Sequence, residues 1–275
     1  MNDTAASKAR SATQDHRFVA TKEYRRFEEF CEACRRERYI GLCYGPPGVG
    51  KTISARYYAQ WDQLEGRDPL DAGVVVPPEI AACRALLITP GTTNTPRSVR
   101  EQVSHGRMLL RGLVGRAEHD PVAGEKPTFS DCCELILVDE ADRLTTQSLE
   151  ELRDHYDKTG IGLILIGMPG LEKRLARYPQ LYSRIGFAHA FRPLSQNETR
   201  FVLERHWRAW GNDWKTEEFT DQEAHAAIIR ITAGNFRLID RLMAQIDRIK
   251  RLNQLNTVSK EVVEAARECL VIGQA

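Results

Sequence analysis

Gly45-Pro46-Pro47-Gly48-Val49-Gly50-Lys51-Thr52 is the stretch on which the reading of this chain turns. It follows the short apolar run Tyr39–Tyr44 and opens a segment of helical character, so it joins a strand to a helix. Its spacing is G-x-x-x-x-G-K-[ST]. Glycines there let backbone N–H groups turn inward around phosphate oxygens, and the N-terminus of the following helix adds positive dipole. Lys51 is placed to reach the β- and γ-phosphates of a nucleotide, and Thr52 to ligate magnesium. The bland alternative is a glycine turn with an exposed lysine, and the strand-then-helix context argues against it.

Further along, residues 134–140 read ELILVDE. An apolar strand delivers Asp139 to its C-terminal end, where a carboxylate can hold magnesium directly or through water. Glu140, one residue later, can orient and polarise a water for attack on a γ-phosphate. An acidic pair ending a strand is often a solvated turn. Paired with the glycine loop, it points to ATP hydrolysis.

Five apolar runs have strand length: Tyr39–Tyr44, Ala85–Thr89, Glu134–Val138, Ile161–Ile166 and Phe187–Phe191. Three are too uniformly apolar to be half-exposed, which predicts a buried, largely parallel sheet covered by helices. The spacing of Tyr24, Phe27, Phe30, Cys31 and Cys34 predicts a helix over Thr21–Arg38. Residues 65–84 and 117–131 carry Pro, Gly and charge and read as loops or insertions. After Pro193 the pattern is helical only. Ser195 with Glu198, and Thr220 with Glu223, fit capping boxes, and further helices are predicted over Phe236–Leu252 and Lys260–Val271. The expected division is a flexible tail over 1–17, a nucleotide-binding core over 18–192 and a helical subdomain over 193–275.

The 275 residues carry 39 basic and 38 acidic side chains, a formal charge of +1. That balance excludes a global basic field, so any nucleic-acid surface must be local. No window approaches eighteen consecutive apolar residues, and the N-terminal stretch is polar, so neither a membrane span nor a secretory signal is expected. Seven scattered cysteines, an odd number, suit a cytoplasmic location. Cys31 and Cys34 have metal or redox spacing without a matching second pair, and Cys132 and Cys133 are adjacent, so all four read as structural thiols. The histidines form no metal or triad pattern. Trp207, Trp210 and Trp214 recur at helical spacing and read as packing of the helical subdomain.

The same residues resemble the AAA+ ATPases over about 21–270: the two motifs, the stretch GMPGLEKRLARYPQLYSRI at 167–185, the turn Pro193–Ser195 and Gly234-Asn235-Phe236-Arg237. The implied fold is α/β: a P-loop core of the ASCE type, with a parallel five-stranded sheet sandwiched by helices, followed by a small all-helical lid. Compact length and the phrase DEADRL at Asp139–Leu144 look most like transposition-regulator ATPases of the TnsC, TniB and MuB type. That resemblance implies ATP and Mg2+ as cofactors, sequence-independent binding of double-stranded DNA, assembly into a helical filament or ring, and a transposase and a targeting protein as partners. By position, Arg237 would touch the γ-phosphate from the lid of the same subunit. Arg184 would be the arginine finger acting on a neighbour's nucleotide, with Arg174 and Arg177 as competitors. Met168 departs from the pattern, standing where relatives place a polar sensor, which implies slow hydrolysis.

Between Arg97 and Arg116 five arginines face one acidic residue, Glu101. On a helix Arg97, Arg100, Arg107 and Arg111 share one side, opposite Val99, Val103, Leu110 and Leu113. Such a stripe suits phosphate contacts without base reading, and Thr92, Thr93 and Asn94 would add polar contacts. A solvated basic face is the plain alternative. Two other functions compete: a helicase-loader or secretion-associated AAA+ ATPase, and a nucleotide-switched scaffold that barely hydrolyses ATP.

Overall fold

In a computed structural model, residues 18–71, 73–118, 130–209, 219–255 and 257–270 are described. The expected tail over 1–17, residues 119–129 of the expected insertion, Trp210, Trp214, the Thr220 side chain and Val271 lie outside the described residues.

Five parallel strands form one sheet: β1 (Ile40–Tyr44), β2 (Ala85–Ile88), β3 (Leu135–Val138), β4 (Gly162–Gly167) and β5 (Ile185–Ala190), in the order β2-β3-β4-β1-β5. The three central strands are almost wholly buried, as their unbroken apolar runs demand. The fifth differs from expectation. It begins at Ile185 instead of Phe187 and is a largely exposed edge strand held by main-chain pairing to β1, whereas β2 at the other edge is buried.

Because side chains alternate across a strand, the sheet has two faces to cover. Ile40 and Leu42 look toward one face and Gly41 toward the other. On the first, α4 (Pro96–Glu118) buries Val99, Val103, Leu110 and Leu113 beside Ile136, Val138, Leu163 and Leu165. Adjacent to it, α5 (Thr146–Thr159) adds Leu149 and Leu152. Fully burying one such leucine contributes roughly 1.5–3 kcal/mol before entropy is counted. On the second face α1 (Lys22–Glu37) brings Phe30 and Cys34 so close that a Cβ at Gly41 would lie 2.5 Å from the Cys34 thiol. The remaining helices here are α2 (Lys51–Tyr58), α3 (Trp61–Leu64), α6 (Leu171–Leu175) and α7 (Pro179–Tyr182), with 3₁₀ turns at Pro78–Ala82 and Ala141–Arg143.

The chain divides into two compact units. The first comprises residues 18–20, Tyr24–Gly45 and Lys51–Phe191. The second comprises Thr21–Glu23, Pro46–Gly50 and the residues from Arg192 onward, built on α8 (Gln196–Ala209), α9 (Phe219–Thr232), α10 (Phe236–Leu252) and α11 (Lys260–Glu268). Its core includes Val202, Leu203, Trp207, Ile228, Leu242, Ile246 and Val263. Trp207 packs edge-on against His225 at 4.6 Å, the packing role expected of it. The Ser195–Glu198 capping box forms: the Ser195 N–H donates to Glu198 Oε2 at 2.9 Å and the Glu198 N–H to Ser195 Oγ at 3.3 Å. That Pro46–Gly50 group with the helical unit is not announced by the sequence.

Candidate nucleotide site

In a parallel sheet the C-terminal ends of all strands share one edge. At that edge the loop 45–52 leaves β1, Asp139 and Glu140 leave β3, and Met168 leaves β4, which runs between them. The Gly45 N–H donates to the Gly167 carbonyl at 3.3 Å, fixing the start of the loop.

Gly48 and Gly50 adopt φ of 79° and 110°, left-handed values that a side chain disfavours. A Cβ at Gly48 would also meet Asn235 Oδ1 at 2.5 Å. Within the helical unit, Asn235 Nδ2 donates to the Pro47 carbonyl at 2.9 Å and the Arg237 N–H to the Gly48 carbonyl at 2.9 Å. Lys51 is buried at the first position of α2 and folds back to donate from Nζ to the Gly45 carbonyl at 2.6 Å. No acidic residue stands in the first turn of α2, and Thr52 is exposed there. Lys51 and a helix N-terminus with no acidic residue in its first turn fit a phosphate, the lysine by its charge and the helix by its dipole.

Asp139 is 4% exposed and makes no ion pair among the described residues. Its Oδ1 accepts the Glu140 N–H at 2.9 Å, and its own N–H donates to the Ile88 carbonyl at 2.9 Å. A buried carboxylate without a cation fits a divalent metal. Glu140 has φ of 53° and ψ of 41°, a strained conformation for a side chain with a Cβ, and its carboxylate ion-pairs with Arg143.

Residues the sequence reading did not single out hold this turn. Asp142 Oδ2 accepts the Met168 N–H at 2.7 Å. Arg143 Nη1 donates to the Pro90 carbonyl at 3.2 Å. Both belong to the DEADRL phrase, which was the available signal. Arg174, weighed as an arginine finger, donates instead to the Asp142 carbonyl at 2.7 Å and to the Leu144 carbonyl, so it braces its own subunit. Asn94, expected to face DNA, is buried. Its Nδ2 donates to the Gly91 and Arg143 carbonyls at 3.2 and 2.8 Å, and its Oδ1 accepts the Thr145 N–H at 3.2 Å. This corrects the expectation: both ends of the amide are engaged within the protein, leaving nothing to offer DNA.

Arg184 forks onto Asp157, with Nε–Oδ1 at 2.6 Å and Nη2–Oδ2 at 2.9 Å, and hydrogen-bonds the Gln180 carbonyl. Those hydrogen bonds hold the Asp157 carboxyl below its usual range. Arg177 is exposed. On α4, Arg97 pairs with Glu101 at 2.8 Å, Arg100 with Glu151 at 2.6 Å and Arg107 with Asp131, while Thr92, Thr93 and Arg111 are exposed. Burial pushes the Cys34 thiol up to about 12 and Cys31 well above its ordinary value, which keeps both protonated. Among the described residues no helix is long and apolar enough to cross a membrane.

A family model described as AAA domain matches residues 34–175. A Staphylococcus aureus protein named "Potential ATP-binding protein" is 47% identical over 271 residues, 95% of this chain and 99% of that one. The Mu-like prophage FluMu DNA transposition protein B of Haemophilus influenzae is 26% identical over 265 residues, 91% of this chain and 80% of that one. Among solved structures, the Thermotoga maritima RuvB Holliday junction branch migration motor matches with a TM-score of 0.57 at 16% identity, covering 90% of this chain and 68% of that one. That last likeness is one of fold.

Proposed function

The chain belongs to the AAA domain family, and from that premise we propose that it is an ATP-hydrolysing, DNA-binding regulator of transposition. The observation carrying the reading is the placement of the glycine loop after β1 and the acidic pair after β3 on one edge of the sheet, with β4 between. Likeness to a protein named for DNA transposition directs it toward that process.

In this reading Lys51 adds a full positive charge to the neutral N–H groups of the loop and compensates phosphate charge. Thr52 and Asp139 hold magnesium, which when bound offsets the charge on the β- and γ-phosphate oxygens. Glu140 orients the attacking water, and Arg237 touches the γ-phosphate. Met168 brings no polar side chain to the water, so turnover is slow.

Duplex DNA binds along Arg97, Arg100, Arg107 and Arg111, with Thr92 and Thr93 adding contacts. The carboxylate partners of three of these arginines do not forbid it. Exposed ion pairs contribute only about 0.2–1 kcal/mol, so exchanging Glu101 for a phosphate costs little, while Arg100, forked onto the part-buried Glu151, gives up more. Arg184 leaves Asp157 to reach the nucleotide of an adjacent protomer. Such heterologous contacts close into a ring or continue as a helix, lining up the basic stripes. A transposase and a targeting protein then read the assembly.

Electron microscopy with duplex DNA and a slowly hydrolysed ATP analogue tests this. Ordered rings or filaments that Arg184→Ala abolishes are expected, and monomers alone would overturn the assembly. A scaffold that binds ATP and barely turns it over is the second reading, favoured by Met168 and by the Glu140–Arg143 pair.

A further inference from the structure

We propose that Asn235 is a positioning residue for the phosphate-binding loop, fixing the peptide planes whose N–H groups must face the nucleotide. The proposal rests on the nucleotide reading of loop 45–52 above.

A five-residue segment with left-handed glycines at positions 48 and 50 has a large conformational freedom to lose, and something must hold it. Inside the helical unit two hydrogen bonds do so: Asn235 Nδ2 to the Pro47 carbonyl and the Arg237 N–H to the Gly48 carbonyl, each 2.9 Å. A trans peptide places its C=O and N–H on opposite sides of the chain. Pinning the Pro47 carbonyl therefore turns the Gly48 N–H the other way, and pinning the Gly48 carbonyl does the same for the Val49 N–H. Two inward-facing donors are thus set by two outward-facing acceptors.

The anchor is itself rigid. Asn235 Oδ1 accepts the Leu238 N–H at 3.2 Å and caps α10, whose Ile239, Leu242, Met243 and Ile246 are buried. The turn before it is tight: Ala233 and Gly234 have φ of 45° and 76°, the Leu194 N–H donates to the Gly234 carbonyl at 2.9 Å, and a Cβ at Gly234 would collide with the Leu194 carbonyl. One amide thus serves both ends, its oxygen starting the helix and its nitrogen holding the loop. Among good capping residues, asparagine alone carries a second polar atom that donates, since serine and threonine have a single short hydroxyl and aspartate only acceptors.

That division of labour makes the test. Serine and aspartate cap helices about as well as asparagine, but serine is too short to reach Pro47 and aspartate has no donor. Nucleotide-free Asn235→Ser and Asn235→Asp should melt within about 2 °C of wild type. Titration with a fluorescent ATP analogue and magnesium should show about tenfold weaker binding for Asn235→Ser, the equivalent of one hydrogen bond. Asn235→Asp should bind more weakly still, its carboxylate facing a carbonyl beside the phosphates. If Asn235 were only a cap, affinity would track stability, and wild-type affinity in Asn235→Ser would overturn the proposal. An analogue that wild type fails to bind would overturn the nucleotide reading and this proposal together.

Discussion

Replacing Asn94 with alanine separates a structural brace from a DNA contact. The side chain is 8% exposed and makes three hydrogen bonds, to the carbonyls of Gly91 and Arg143 and from the N–H of Thr145. Gly91 is exposed, so water can replace the bond to its carbonyl. The bonds to Arg143 and from Thr145 are part-buried and tie together segments 49 and 51 residues apart, so water replaces them less well. A neutral hydrogen bond contributes about 0.5–1.5 kcal/mol net, and a partly buried group left unpaired costs more, so a loss of about 2–3 kcal/mol is expected. At about 2–4 °C per kcal/mol for a domain of this size, the melting temperature should fall by about 4–12 °C. Far-ultraviolet circular dichroism on nucleotide-free protein reads this directly, with exposed Thr93→Ala as the control that should change stability by less than about 0.5 kcal/mol. A variant that melts like wild type yet binds duplex DNA more weakly would refute the reasoning and return Asn94 to the DNA surface.

Two further outcomes follow from the same network. Arg143→Ala frees the Glu140 carboxylate; the pair is half-exposed and worth about 0.2–1 kcal/mol, so steady-state phosphate release should rise by up to about fivefold in kcat with KM unchanged. A fall in kcat would mean that Arg143 holds Glu140 in its working position. Hydrogen bonds from Arg184 hold the Asp157 carboxyl below its ordinary value of 3.8. A carboxyl depressed in the folded state contributes stability above its unfolded pKa and loses it as pH falls through the folded one. The difference in urea midpoint between wild type and Asp157→Asn should therefore be constant above about pH 5 and close below about pH 4, and a gap that widens in acid would contradict the pairing.

What the sequence made legible was local. The glycine loop, the acidic pair, the three buried strands and the Ser195–Glu198 box each depend on residues within a few positions of one another. Apolar runs find strands that are buried on both faces, so the exposed edge strand β5 was placed two residues late. The roles of Asn94 and Asn235 were not legible, because a polar side chain shows its partners only after folding. Arg143, which Asn94 holds, is 49 residues away, and Pro47, which Asn235 holds, is 188 residues away. The same holds for Arg174, a competitor of Arg184 by its place in the family pattern, whose partners are the Asp142 and Leu144 carbonyls.

The central claim is that Lys51, Thr52, Asp139 and Glu140 form an ATP-hydrolysing site. Its most direct test is ATP binding and phosphate release by wild type and Glu140→Gln, each with and without duplex DNA. The account predicts that Glu140→Gln binds ATP with near wild-type affinity while turnover falls by about a hundredfold or more, the contribution of a positioned general base. Undiminished turnover in Glu140→Gln would contradict it.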